Sequence, residues 1–156
     1  METFVFQLEG MWKGSWDGNG RIETKGLNSS ISVDPSMQGS GIGTNPDELL
    51  LSALSSCFLI TLGIRLNKES ISYDHISIRS EGTVTKQGGL HFEKVVHKPV
   101  IYLNGALSDE LRSKLFAAIK MAERDCMIAK AVRGNIRVDV EPVFQPAGTN
   151  LISEKA

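Results

Sequence analysis

Residues 49–64 read LLLSALSSCFLITLGI, and this uncharged stretch decides the fold. Apolar residues occupy nearly every face of the helix that the pattern predicts, so the helix has to be buried on all sides. A bilayer span needs about 20 residues, whereas this stretch ends at Arg65 and contains Ser52, Ser55 and Gly63. We therefore expect a core helix rather than a membrane span. A chain of 156 residues would struggle to cover such a helix alone, so we expect a second copy to pack against it.

The residues before this stretch predict where the helix begins. Residues 37–44, MQGSGIGT, are rich in glycine and lead into Asn45, whose side chain can cap a helix. Pro46 suits the first helical position, and Glu48 can complete a capping box. The helix is therefore expected to start at Pro46.

Short β-rich segments precede the helix. Thr3 to Leu8 and Ile31 to Val33 have the composition of strands, and residues 17–20, DGNG, provide the positive-φ residues of a tight hairpin turn. This pattern predicts two or three antiparallel strands.

A second group of strands follows the helix. Apolar and polar residues alternate over residues 76–84, and KQGG at residues 86–89 predicts a hairpin turn. Residues 90–103 supply the return strand, in which Pro99 should lie at an edge or a bulge because it has no N–H to donate.

The last third of the chain predicts an amphipathic helix and a final strand. Ser108 caps the helix, another helical turn begins around Cys126, and residues 136–140 alternate as a strand. Residues 146–156 are expected to form a loose tail. With no internal repeat, the chain is predicted to be a single α+β domain over residues 1–156. The apolar stripe of the amphipathic helix consists of Leu111, Leu115, Ala118, Ile119 and Ala122.

Charge and composition argue against several classes of partner. Lys and Arg number 17 against 18 Asp and Glu, for a formal net charge of -1, so no positive field attracts nucleic acid or anionic lipid. Acidic Glu2 and Glu9 lie where a signal peptide would be basic. Two cysteines are too few for a disulfide framework. We expect a cytoplasmic protein. If its two cysteines have a function, we expect that function to be chemical rather than structural.

The two cysteines are Cys57, inside the apolar helix, and Cys126, after the amphipathic helix. Neither belongs to a CxxC motif, and both could be small buried hydrophobic residues, as free cysteines usually are. The histidines, His75, His91 and His97, lie on predicted strands without metal-ligand spacing to either cysteine. We expect no metal site.

Two segments resemble the OsmC/Ohr family, the osmotically inducible and organic hydroperoxide resistance proteins. Residues 43–62, GTNPDELLLSALSSCFLITL, resemble its cysteine-helix signature, and residues 122–140, AERDCMIAKAVRGNIRVDV, resemble its second-cysteine segment. The order of elements between them also fits. The resemblance implies an α+β, OsmC-like fold in which antiparallel sheets surround a buried central cysteine helix. It also implies an intertwined homodimer with its sites at the subunit interface.

The resemblance implies a thiol peroxidase that needs no metal or bound cofactor. Cys57 would attack an organic hydroperoxide and become a sulfenic acid, which Cys126 would capture as a disulfide. An external dithiol, usually a lipoyl protein in this family, would then reduce the disulfide.

The resemblance also implies a charge beside Cys57, since burial alone would raise its pKa and leave it inert. Arg21, in GNGRIETKG, matches the family's arginine, which can hold the thiolate and neutralise the departing alkoxide. Either Asp47 or Glu48 would hold Arg21 in place. Ten residues of helix rise about 15 Å, so Asp47 cannot touch Cys57 of its own chain. Arg21 must bridge that gap, or the second subunit contributes part of the site.

The expected substrate site is apolar and consists of Leu54, Phe58, Ile60 and Met127, which suits an alkyl or fatty-acyl hydroperoxide. The chain departs from the family where it has CMIA at residues 126–129 instead of the frequent CPxS. It also has Asp47 where a glutamate is common. These departures support an alternative, a non-catalytic dimer of the same fold that binds an apolar small molecule at the interface.

Overall fold

The computed structural model describes residues 1–149. They form two compact units, Met1–Leu50 and a second unit that begins at Leu51, and the long helix α1 begins in the first and continues into the second. The helices are α1 (Pro46–Lys68), α2 (Asp109–Asp125) and α3 (Met127–Val132), with a 3-10 turn at Pro35–Met37. The strands are β1 (Glu9–Lys13), β2 (Asn19–Glu23), β3 (Asn28–Ile31), β4 (Tyr73–Lys86), β5 (Leu90–Leu103), β6 (Arg137–Val140) and β7 (Val143–Pro146).

The N-terminal unit contains a three-stranded antiparallel sheet in the order β1-β2-β3. Two or three antiparallel strands were predicted and three are present, but the strand predicted over Thr3 to Leu8 is wrong, because the first strand is Glu9–Lys13. Phe4 and Phe6 are 73% and 91% exposed. Within residues 1–149, this β-rich segment pairs with no strand. Its composition alone is therefore not sufficient to make it a β-strand.

The start of α1 is confirmed. The side chain of Asn45 accepts a hydrogen bond from the N–H of Glu48 at 2.8 Å, and Pro46 is the first helical residue. The carboxylate of Glu48 accepts from the hydroxyl of Thr44 at 2.6 Å. The preceding glycines allow close packing, because a Cβ on Gly43, whose φ is +71°, would lie 2.0 Å from the carbonyl oxygen of Ser30.

The second unit is built on the long antiparallel hairpin β4–β5. Two short strands, β6 and β7, pair in parallel with successive halves of β5. Pro99 therefore lies in an interior strand, but at the gap between the segment paired with β6, which ends at His97, and the segment paired with β7, which starts at Val100. The predicted edge or bulge position is wrong. Among residues 1–149, no strand on this side of β5 pairs with Pro99, so no neighbour needs an N–H from it, as at the edge of a sheet.

The core of the second unit lies between the helices and this sheet. Leu54, Phe58, Leu62 and Leu66 recur every fourth residue along α1, and each is at most 1% exposed. The stripe predicted for α2 packs into the same core, with Leu111 partly buried at its margin. The buried residues that α2 contributes are Leu115, Ala118, Ile119 and Ala122.

The opposite flank of α1 is exposed in the single chain. Ile60 and Ile64 are 65% and 51% exposed, so this chain does not bury the helix on all sides. By length and composition α1 is apolar enough to cross a membrane, with a mean hydropathy of 1.9 over 18 residues. The row of buried residues that α1 packs against the sheet is typical of a core helix.

Candidate active site

Cys57 and Cys126 lie next to each other, although they are far apart in the chain. Their thiols are close enough to shift each other's pKa, with Cys126 acting as the hydrogen-bond donor and Cys57 as the acceptor. Cys57 is half-buried on α1, and Cys126 is 1% exposed at the junction of α2 and α3. The fold of a single chain therefore brings the two predicted thiols together.

The junction around Cys126 explains how its neighbours face Cys57. The N–H of Cys126 closes α2 by donating to the carbonyl of Ala122 at 2.9 Å, and its carbonyl begins α3 by accepting from Lys130 at 3.0 Å. The first N–H groups of a helix have no partner within it. Here the N–H groups of Met127 and Ile128 act on the pKa of Cys57 as donors, and Ala129 donates to the sulfur of Cys126 at 3.4 Å.

These donors control the acidity of Cys57. Burial acts to raise the pKa of the Cys57 thiol, but the hydrogen bonds from Cys126, Ile128, Met127 and Thr61 together lower it below the ordinary value. Thr61 has one hydroxyl hydrogen, and its oxygen lies 2.8 Å from the carbonyl of Cys57, so it can donate to either acceptor. Cys57 is thus the thiol that ionises more readily.

Cys126 has the opposite character. Burial, together with the hydrogen bond that it donates to Cys57, raises the pKa of Cys126 to about 11. The pair therefore consists of an acidic, half-buried thiol and a buried thiol that keeps its proton. A thiolate that is partly accessible and held by donors is the form in which a cysteine acts as a nucleophile.

The backbone donors of α3 were not predicted from the sequence, although a helical turn around Cys126 was. The free N–H groups of that turn were the available signal, because any helix leaves its first amides without internal partners. The family's frequent CPxS would place proline after the cysteine, and proline has no N–H. Met127 supplies an amide at that position.

Arg21, Asp47 and Glu48 all lie in the N-terminal unit. Arg21 is exposed on β2, paired with Met11 of β1 and Ser30 of β3. Asp47 and Glu48 lie in the first turn of α1. Within residues 1–149, Arg21 forms no ion pair with either carboxylate. The predicted role of Arg21 and of the carboxylate stays a prediction.

The four predicted substrate-binding residues fall into two groups. Leu54 and Phe58 are fully buried in the core, at 0% and 1% exposure. Ile60 and Met127 are 65% and 68% exposed, one on the flank of α1 and one at the start of α3. Only the second pair is accessible to a substrate.

A partly buried chain of polar contacts joins α1 to the sheet. Nδ1 of His97 is 2.7 Å from the hydroxyl of Ser80, which is 2.8 Å from the hydroxyl of Ser55 on α1. His75 and His91 are exposed. In the part of the chain that the structure describes, no group of three or more His, Cys, Asp or Glu is arranged to hold a metal ion.

The chain is similar to known proteins in sequence. Residues 38–141 match the family model described as OsmC-like protein. The chain is 34% identical over 149 residues to the uncharacterized protein YmaD of Bacillus subtilis, covering 95% of this chain and 99% of that protein. It is 24% identical over 121 residues to an organic hydroperoxide resistance protein-like protein of Staphylococcus aureus, covering 78% and 84%.

The fold is also that of solved structures. A crystal structure from Legionella pneumophila, described as an organic hydroperoxide resistance protein OsmC, superposes with a TM-score of 0.71 at 22% identity. The match covers 90% of this chain and 99% of that one. The α+β OsmC-like fold predicted from the two cysteine segments is confirmed.

Proposed function

Because the chain belongs to the OsmC-like protein family, we propose that it is a thiol peroxidase that reduces organic hydroperoxides through Cys57. The observation that carries the proposal is the thiol pair. Cys57 has a lowered pKa and accepts a hydrogen bond from a second cysteine that keeps its own proton. The organic hydroperoxide resistance named for relatives in Staphylococcus aureus and Legionella pneumophila supports the substrate class.

In the first step the Cys57 thiolate attacks the terminal oxygen of the hydroperoxide. The O–O bond breaks, Cys57 becomes a sulfenic acid, and the substrate leaves as an alkoxide. Cys126 is a proton donor beside Cys57, and its pKa of about 11 makes it more acidic than an alcohol. Transfer of its proton releases the alcohol and leaves Cys126 as a thiolate.

In the second step the sulfur of Cys126 attacks the sulfur of the Cys57 sulfenic acid. The S–S bond forms, the S–O bond breaks, and hydroxide leaves and is protonated to water. An external dithiol, of the lipoyl type implied by the family resemblance, then reduces the disulfide by thiol–disulfide exchange. No resident cofactor takes part in either step.

The apolar part of the substrate would contact Ile60 and Met127, the exposed apolar side chains on the two segments that carry the thiols. Leu54 and Phe58 would support this surface from the core. Burial of an alkyl tail on such a surface is favourable at about 25 cal/mol per Å². We therefore propose an alkyl or acyl hydroperoxide rather than hydrogen peroxide.

The remaining parts of the proposal concern the second subunit. A copy of the chain would cover the exposed flank of α1 around Ile60 and Ile64. Arg21, held by Asp47 or Glu48, would stabilise the thiolate and the departing alkoxide. The presence of only two cysteines, too few for a disulfide framework, supports a cytoplasmic location.

One equivalent of cumene hydroperoxide tests the function. Mass spectrometry should then show a Cys57–Cys126 disulfide within one chain. Cys126→Ser should stop at a Cys57 sulfenic acid that dimedone traps, and Cys57→Ser should consume no peroxide. Unchanged free thiols in the wild-type chain would overturn the proposal and leave the alternative, an OsmC-fold dimer that binds an apolar small molecule.

A further inference from the structure

An ion pair joins the helix that carries Cys57 to the segment that carries Cys126. The guanidinium of Arg65 on α1 donates to the carboxylate of Asp125, the last residue of α2. Arg65 lies about 12 Å beyond Cys57 along α1, just over two helical turns, and Asp125 directly precedes Cys126. The two segments are therefore fastened at two separate points, by the thiols and by this ion pair.

The apolar contacts of α2 end before its last turn. Its buried residues run from Leu115 to Ala122, and the three that follow, residues 123–125, are all charged. Cys126, with ψ of 116°, lies outside both helices. The direction of its side chain therefore depends on how this charged turn is held against α1.

The surroundings of the Arg65–Asp125 ion pair suit a role in fixing the orientation of the two segments. The side chains of Arg65 and Asp125 are only 23% and 26% exposed, whereas Arg124, the other partner of Asp125, is 62% exposed. Hydrogen bonds from Arg124 and Arg65 lower the pKa of Asp125, so the carboxylate stays ionised. Surface ion pairs of this kind contribute little to global stability, but a charge-assisted hydrogen bond fixes orientation.

We propose that Arg65 and Asp125 are positioning residues that hold Cys126 in line with Cys57 for disulfide formation. The inference rests on the proposed function and assigns these two residues to its second step. A disulfide requires a dihedral angle near 90° and a narrow range of distances between the two residues. A displacement of about 1 Å at a reacting group can slow a step by about 100-fold.

The first test measures how readily the disulfide forms without any peroxide. Wild type, Arg65→Gln and Asp125→Asn are equilibrated with mixtures of oxidised and reduced dithiothreitol, and the disulfide-bonded fraction is counted by mass spectrometry. We expect the equilibrium constant for the Cys57–Cys126 disulfide to fall by about 10-fold in both variants, because effective concentration depends on orientation. Arg65→Lys, which keeps the charge, should recover most of the wild-type value.

A matched control removes an ion pair away from the thiols. Lys98 and Glu81 pair across β4 and β5 at 2.9 Å, and Lys98→Gln should leave the equilibrium constant unchanged. Circular dichroism of each variant checks that it is folded. Wild-type disulfide stability in both Arg65→Gln and Asp125→Asn would overturn the inference.

The second test separates the two steps of the reaction. After rapid mixing with one equivalent of cumene hydroperoxide, samples are quenched with dimedone at increasing times. Arg65→Gln should form Cys57 sulfenic acid at a rate within about twofold of wild type, yet form the disulfide about 10 times more slowly. Equal slowing of both steps would contradict a positioning role. Failure of the wild type to form sulfenic acid would overturn the proposed function, while the dithiothreitol equilibrium would still decide the role of the ion pair.

Discussion

The imidazole of His97 stacks on the ring of Phe58, the residue after Cys57, with ring centroids 5.1 Å apart and planes 16° from parallel. The same imidazole begins a chain of three contacts, through the hydroxyls of Ser80 and Ser55 to the carbonyl of Leu51. Three contacts require three hydrogens. Only a His97 that carries a proton on Nδ1 supplies them all, so it donates to Ser80, Ser80 to Ser55, and Ser55 to Leu51.

We predict that His97 makes the fold sensitive to acid. Burial lowers the pKa of His97 from 6.5 to about 4. The unfolded chain therefore binds a proton that the folded chain excludes, and stability falls as the pH decreases from 6.5 toward 4, by at most about 3 kcal/mol. Above pH 6.5 this contribution is fully present. Urea unfolding at a series of pH values measures it.

His97→Gln should be less stable at neutral pH but lose less stability than wild type between pH 6.5 and 4. His91→Gln is the control, because it makes the same substitution at an exposed histidine. Parallel pH curves for wild type and His97→Gln would show that other groups cause the acid sensitivity.

We predict that the amide of Met127 lowers the pKa of Cys57. Met127→Pro removes this N–H and replaces the side chain, but it keeps the helix, since proline suits the first position of a helix. The pKa of Cys57 should rise, as expected when a donor to a charged group is lost. The pH dependence of iodoacetamide alkylation in a Cys126→Ser background measures the pKa of Cys57 alone.

Met127→Ala is the matched variant, because it shortens the side chain and keeps the N–H. It should leave the pKa of Cys57 in place, while weakening the use of long-chain hydroperoxides if Met127 contacts substrate. The same pKa in the proline and alanine variants would remove this amide from the mechanism.

Arg21→Ala tests the proposed role of the arginine. If its guanidinium lies beside the Cys57 thiolate, the variant should raise the pKa of Cys57 and slow its oxidation by about 10-fold or more at neutral pH. Stopped-flow oxidation by cumene hydroperoxide measures the rate. Arg79→Ala, which removes another exposed arginine, should react like wild type. An unchanged pH profile for Arg21→Ala would leave the α3 amides and Cys126 as the donors that act on Cys57.

Ile60→Lys tests whether a second subunit covers the exposed flank of α1. A charge on the exposed flank of α1 should prevent burial of this surface, so sedimentation should show monomers where wild type sediments as a dimer. Leu90→Lys is the control, since Leu90 is 50% exposed at the tip of the β4–β5 hairpin. A wild-type chain that sediments as a monomer at all concentrations would contradict the proposed dimer.

The helix caps and hairpins were predictable because they depend on local chemistry. Asn45 and Ser108 cap their helices through their own side chains, and the strand predicted over residues 90–103 has the observed bounds. The strand β7 was not predicted, because a strand of four residues depends on the partner that it meets, here the second half of β5. The loose tail predicted from residue 146 extends beyond the described residues.

The site was predictable only in part for a similar reason. The two thiols could be named from their segments, but the donors to Cys57 are backbone amides, which every residue has. Their use depends on where the fold directs α3. The partly buried chain from His97 to Ser55 joins three elements, and no spacing along the sequence signals it.

The short helix α3 and the thiolate of Cys57 stabilise each other. A helix of six residues is not stable by itself, and the thiolate of Cys57 attracts its first amides as much as they stabilise the thiolate. Formation of the disulfide removes that negative charge. We expect the amides of Met127 and Ile128 to exchange with solvent deuterium faster in the oxidised chain, so that the segment covering the bond loosens when a reductant has to enter.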